Sequence, residues 1–268
     1  MNIISDLTLT SLETITAFEL VTGNYMWTLD EVQDATIAQT EDTVDITGKG
    51  GRKLSTLKRN KAVTISGTNG LLSTGLMAIQ TGSKFENKTT ETMWTDYLTV
   101  SGGKAATLYT AIGTEGAEIT NLHIKNADST QGERLTQAEA VSESAFTYDP
   151  ATKELAFDEG VADGTEIVVH YKRKIAAMVL ENLSDTYSGK CSLYVDALAE
   201  DKCGNIYRVQ FYFPKVDFNG EFSIELGGDQ VVHAFDATAL SGACGTAGQF
   251  FTFTVFGANT ADVTTDAE

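Results

Sequence analysis

Polar and β-branched or aromatic residues alternate at period two along most of this chain, the signature of half-buried strands. An opening strand runs over Thr14–Leu20 with Ile15, Ala17 and Phe18 inward, and Thr22-Gly23-Asn24 then turns the chain. Thr28-Leu29-Asp30-Glu31 reads as a cap and one helical turn. Val44 and Ile46 alternate with Thr43, Asp45 and Thr47, and Ala62, Thr64 and Ser66 alternate with Val63 and Ile65. Between these runs lies GKGGRKLSTLKRNK, Gly48 to Lys61, too long for a tight turn and too polar for a core. The pattern predicts a long β-hairpin that projects from the domain with Gly48–Lys61 as its tip.

The period changes to 3.6 directly after the hairpin. Thr68 or Asn69 can cap a helix over about 70–81, which Gly82 stops. Leu72, Gly75, Leu76 and Ile79 form one apolar stripe for the sheet. Gly75 within it costs about 1 kcal/mol relative to alanine, so close packing is expected there. Glu181–Tyr187 suggests a second, shorter helix. Strands return from Thr92 to Ala111, and residues 113–145 are polar and weakly periodic, an insertion or mobile segment. Phe146–Tyr148, a turn at Asp149–Thr152, and Leu155 with Phe157 make a hairpin, and Asp163-Gly164 opens a strand from Glu166 to Lys172.

The last third is the most regular. Cys191, Leu193, Val195 and Ala197 share one strand face, and Tyr207, Val209, Phe211 and Phe213 share another after a turn at Lys202–Asn205. Phe222–Leu226, Val231–Phe235 and Phe250–Phe256 read as further strands, and the final ten residues as an acidic, disordered tail. The expected organisation is a β-domain from residues 1–112 and 176–258, a hairpin insertion or small subdomain over 113–175, and a tail over 259–268. No repeat of fixed period appears.

Charge singles out the hairpin. Its tip carries Lys49, Arg52, Lys53, Lys58, Arg59 and Lys61, six of the 19 basic residues in a chain of net charge −18. An acidic body with one cationic arm can set that arm against the acidic face of its own copy, a heterologous contact that builds rings or filaments. Leu54 and Leu57 on the same tip join these cations as expected interface residues. The acidic balance argues against nucleic-acid recognition by the body, since phosphate contacts need Lys and Arg.

Other chemistry is sparse. No charged n-region precedes an apolar run, and the longest strictly apolar run, Ile175–Leu180, is far short of a membrane span. Cys191, Cys203 and Cys244 match no zinc spacing and read as reduced, inert thiols. GKGGRK lacks the form of a phosphate loop, and no serine elbow, zinc helix or calcium loop occurs. His123, His170 and His233 lie on separate strands, and a triad assembled through the fold is set against three solvent-side or satisfied histidines. Asp196, Glu200 and Asp201 are a cation site or a solvated strand end, and the run Tyr207, Phe211, Tyr212, Phe213, Phe218, Phe222 is a stacking platform or sheet core.

ITGKGGRKLSTLKRNKAVTISGTNG with GLMAIQTGS, FTYDPATKELAF…GTEIVVHYKRK and FSIELGGDQVVHAF…GQFFTFTVFG resemble the tail tube (major tail) proteins of long-tailed bacteriophages. The resemblance implies an all-β sandwich or half-barrel flanked by one helix, with a long hairpin. It implies hexameric rings stacked around a tape-measure protein, with tail terminator and tip proteins at the ends, and DNA passing through during ejection. It also implies a virion protein assembled in the host cytoplasm, with no catalysis and no cofactor, whose Gly48–Lys61 loop reaches a neighbouring ring or subunit. A carbohydrate- or host-binding virion module and a hydrolase with a fold-assembled site are the competing readings.

Overall fold

The computed structural model describes residues 6–224, 232–241 and 248–257. Among the described residues the fold is all-β with one helix. In order, the elements are β1 (Leu7–Glu19), β2 (Tyr25–Leu29), β3 (Val32–Thr47), β4 (Lys53–Asn69), α1 (Thr74–Thr81), β5 (Glu86–Thr99), β6 (Lys104–Ala106), β7 (Asn121–Lys125) and β8 (Gln131–Gln137). They continue as β9 (Ala145–Asp149), β10 (Glu154–Ala156), β11 (Glu166–Val179), β12 (Lys190–Asp201), β13 (Ile206–Phe218), β14 (His233–Ala239) and β15 (Thr252–Gly257).

Packing divides the chain into two units, one from residues 1–85 with 180–268 and one over Glu86–Val179. The inserted unit thus begins at Glu86 rather than 113 and ends at Val179 rather than 175. The cause is β5, which pairs antiparallel with β11 from Glu86↔Val179 to Thr99↔Glu166. It cannot stay with the first unit while giving its whole length to the second.

The first unit is a curled half-barrel sheet in the order β2-β1-β12-β13-β14-β4-β3, with β15 also on β13. β13 gives Val216–Phe218 to β14 and Tyr207–Tyr212 to β15, so the sheet forks along this strand. Its core is made by alternation: Ile15 and Ala17 on β1, and Cys191, Leu193 and Val195 on β12, are all buried. Thr28–Glu31 is not a helical turn. Trp27 and Leu29 are buried alternately on β2, which pairs with β1, and that burial overrides the capping signal.

α1 closes this core. β4 continues to Asn69, so the helix starts later than the capping pattern suggests, and Ser73 caps it by accepting from the Leu76 amide at 3.3 Å. Gly82 ends it in the left-handed region, φ 67°. Leu76 and Ile79 are buried. Leu72 precedes the helix and is exposed, so it does not belong to the packing stripe. A Cβ at Gly75 would collide with the Trp27 side chain. Glu181–Tyr187 forms no helix.

The second unit is a seven-stranded sheet in the order β5-β11-β7-β8-β9-β10-β6. Residues 113–145 contribute β7 and β8, each anchored by one buried leucine, Leu122 and Leu135. Asp96 is buried here, accepting from Tyr171 Oη at 2.7 Å, Trp94 Nε1 at 2.8 Å and the Leu108 amide at 2.8 Å. That saturation makes Asp96 a structural carboxylate. The strands expected over Phe222–Leu226 and Val231–Phe235 lie partly outside the described residues, as do Cys244 and the tail.

Candidate assembly interface

The hairpin β3–β4 has two halves of different character. In the anchored half, β4 pairs β3 on one side and β14 on the other, Val63↔Ala239 to Asn69↔His233. Past Ala62 the two strands run on alone as an arm. The turn is short: Gly50 (φ 81°) and Gly51 (φ 75°) reverse the chain, and the Gly48 amide donates to the Arg52 carbonyl at 2.8 Å. Gly48–Lys61 is therefore a strand from Lys53 onward rather than a loop.

A bulge joins the halves. Thr40 faces Ala62 but Asp42 faces Arg59, so β4 carries one residue more than β3 at this point. Asn60 takes it up at φ 53°, donating from Nδ2 to Asp42 Oδ2 at 2.9 Å. The extra residue inverts the faces of β4. Val63 and Ile65, of odd number, are buried in the core, whereas Leu57, also odd, lies opposite Val44 on the face turned away from it.

The arm is consequently amphipathic, with neither face covered among the described residues. Val44, Ile46 and Leu57 share the outward face, Ile46 48% and Leu57 53% exposed. The other face is a ladder of charges: Lys53 Nζ lies 2.6 Å from Asp45 and Lys58 Nζ 2.7 Å from Glu41. The hydrogen bond and charge of Glu41 raise the Lys58 pKa. So two of the six cations are matched across the strand pair, a neutralisation hidden from a linear scan of charge. Lys49, Arg52 and Arg59 have no carboxylate partner among the described residues. Lys61 lies 5.9 Å over the Phe250 ring, and Leu54, 59% exposed, folds over Gly48. The structure thus gathers Lys49, Arg52, Lys53, Leu54, Leu57, Lys58 and Arg59 on one arm and leaves Lys61 at its root. Val44 and Ile46 complete the apolar face; their alternation alone did not show that it is uncovered.

The three histidines do not come together. His123 and His170 do meet, with ring centroids 5.8 Å apart, and His170 Nδ1 bonds Thr95 Oγ1 at 2.8 Å. Burial first, then the charge of His170, lowers the His123 pKa. His233 lies in the other unit, bonded to Gln80. Asp201 organises the β12–β13 turn, accepting from the Cys203 and Asn205 amides, and no metal-ligating cluster of three occurs among the described residues. Burial pushes the Cys191 thiol up to about 12, away from thiolate chemistry.

A family model described as the YomU/Tube protein family matches residues 7–253, spanning both units and the whole arm. The chain belongs to the YomU/Tube protein family. No curated protein matches the chain. The family is one of phage-derived tube proteins, so this tube-family chain is a structural protein of that kind. No helix among the described residues is long and apolar enough to cross a membrane.

Proposed function

We propose that this chain is the repeating subunit of a bacteriophage tail tube, a virion protein whose copies close into six-membered rings that stack into a conduit for DNA during ejection. The observation that carries the reading is the arm: a two-stranded extension with an apolar stripe that no described residue covers. An isolated two-stranded hairpin is at best marginally stable in water, so an arm of this length is consistent with one that is covered in its working state. The outer edge of β3, 16 residues long, also lacks a partner among the described strands. Such an edge is an aggregation hazard unless another strand or a closed ring covers it. The net charge of −18 suits a passage through which a polyanion slides without adhering. The tape-measure, terminator and tip proteins of a tail are the partners this reading implies.

The test reverses charge where it is unmatched. Lys49→Glu, Arg52→Glu and Arg59→Glu together leave both cross-strand ion pairs intact. The variant should fold as wild type by circular dichroism yet stop as monomers or single rings in negative-stain micrographs. Normal tubes from it would refute the role of the arm's cations.

A further inference from the structure

The first unit carries a second uncovered surface, on the same side of its sheet as the apolar stripe of the arm. The residues of β12 that turn away from the core, Ser192, Tyr194 and Asp196, combine with Phe18 of β1 and with Gln210 and Tyr212 of β13 to floor a trough of about 770 Å³. Tyr194 and Tyr212 stack at 4.5 Å, and Phe18 meets Tyr194 in a T-shaped contact at 5.5 Å. Leu20 and Val21 form an apolar rim, Val21 being 92% exposed. Glu19 and Asp196 bring two carboxylates to the lining against one cation, Lys215.

We propose that this trough receives the free half of the arm from a second copy of the chain, a contact that rests on the reading as a self-assembling subunit. The two surfaces are complementary in kind. The arm offers exposed Leu54 and Leu57 and three cations without carboxylate partners; the trough offers aromatic and aliphatic walls with two carboxylates. A guanidinium entering such a trough gains from both the ring face of Tyr212 and the acids. A sugar platform fits less well, because Tyr194 is already engaged by two rings, stacked on Tyr212 and in a T-shaped contact with Phe18. The arm leaves the sheet at β3 and β4, whereas the trough sits on β1, β12 and β13, across β14 in the strand order. Arm and trough are thus different patches, and a contact between them can repeat from copy to copy.

Mixing two full-length variants tests this directly. Leu57→Asp disables the arm and leaves the trough; Val21→Arg places a like charge on the rim at a position too exposed to affect folding, and leaves the arm. Tyr212→Ser serves as a second trough variant, its fold checked by thermal melting. Each variant alone should stay monomeric in sedimentation velocity under conditions where the wild type assembles, and their mixture should give a one-to-one dimer. Assembly by the trough variants alone, or a mixture that stays monomeric, overturns the arm–trough contact. If wild type forms tubes in the same experiment, that failure leaves the tube reading standing. If wild type never assembles, and its trough instead binds a soluble oligosaccharide, both fall together.

Discussion

Gly75 sits where the helix backbone crosses Trp27, so that a methyl group would strike the Trp27 side chain close to the β2 backbone. Alanine gains about 1 kcal/mol of helix propensity over glycine, but overpacking a closed core costs ~1–3 kcal/mol. Because the Trp27 Cβ cannot move without its strand, the clash wins. Gly75→Ala should lower stability to chemical unfolding, contrary to the propensity scale, and an unchanged or higher midpoint would show that the helix shifts freely. His233 makes a second residue-scale link. Gln80 donates from Nε2 to the Ala234 carbonyl at 3.0 Å, leaving its Oε1 to accept from His233 Nε2 at 2.8 Å, while His233 Nδ1 accepts from the Ser73 amide. Burial depresses the His233 pKa below its usual value near 6.5, so the unfolded chain binds the proton more readily. The contribution is full above about pH 6.5 and is lost as pH falls through the depressed folded value. Thermal midpoints of the wild type should therefore fall on acidification over that window, and His233→Asn should flatten the slope; parallel slopes would exclude this histidine as the cause.

Among the elements, legibility followed burial. β12 was readable because one face of it is packed: Cys191, Leu193 and Val195 alternate with polar residues, and the structure buries all three. β4 from Lys53 to Lys61 looked like a loop because neither of its faces is buried within the chain, so no period-two signal survives selection for a core. The bulge at Asn60 blurred it further by moving the apolar position from one parity to the other. β7 and β8 leave little pattern for a related reason, since a single buried leucine in each carries the packing. The start of α1 is obscured in the sequence because Thr68 and Asn69 have good capping side chains, yet their backbones are committed to β14. The same contrast predicts dynamics. Amides of 42–59 should exchange close to intrinsic rates in dilute monomer and at least roughly tenfold more slowly in assembled particles, while those of 63–69 stay protected in both. Equal exchange of the arm in the two states would mean that assembly leaves it uncovered.

At the scale of the whole molecule, two features are unsatisfied together: a long edge strand and an amphipathic arm that grows from the same edge. The head-to-tail arrangement of copies proposed above would answer both, and the acidic balance of the remainder would set the sign of the surface that such an assembly presents. The cationic arm is less lopsided than its sequence implied, since Asp45 and Glu41 neutralise Lys53 and Lys58 across the strands. What remains without a carboxylate partner among the described residues is spread along the arm, Lys49 and Arg52 at the turn and Arg59 opposite Asp42 near the bulge. Contacts that depend on these exposed charges should weaken with ionic strength, because screening acts within about 8 Å at physiological salt. Sedimentation across a salt series should show assembly receding as salt rises, and salt-independent assembly would shift the weight to the apolar stripe.

A three-dimensional electron-microscopic reconstruction of the assembled full-length protein addresses the central claim most directly. Hollow rings or tubes in which residues 42–59 of each copy lie against a neighbouring copy are expected. Compact particles without a lumen, or an arm that folds back on its own first unit and touches no other copy, would contradict it.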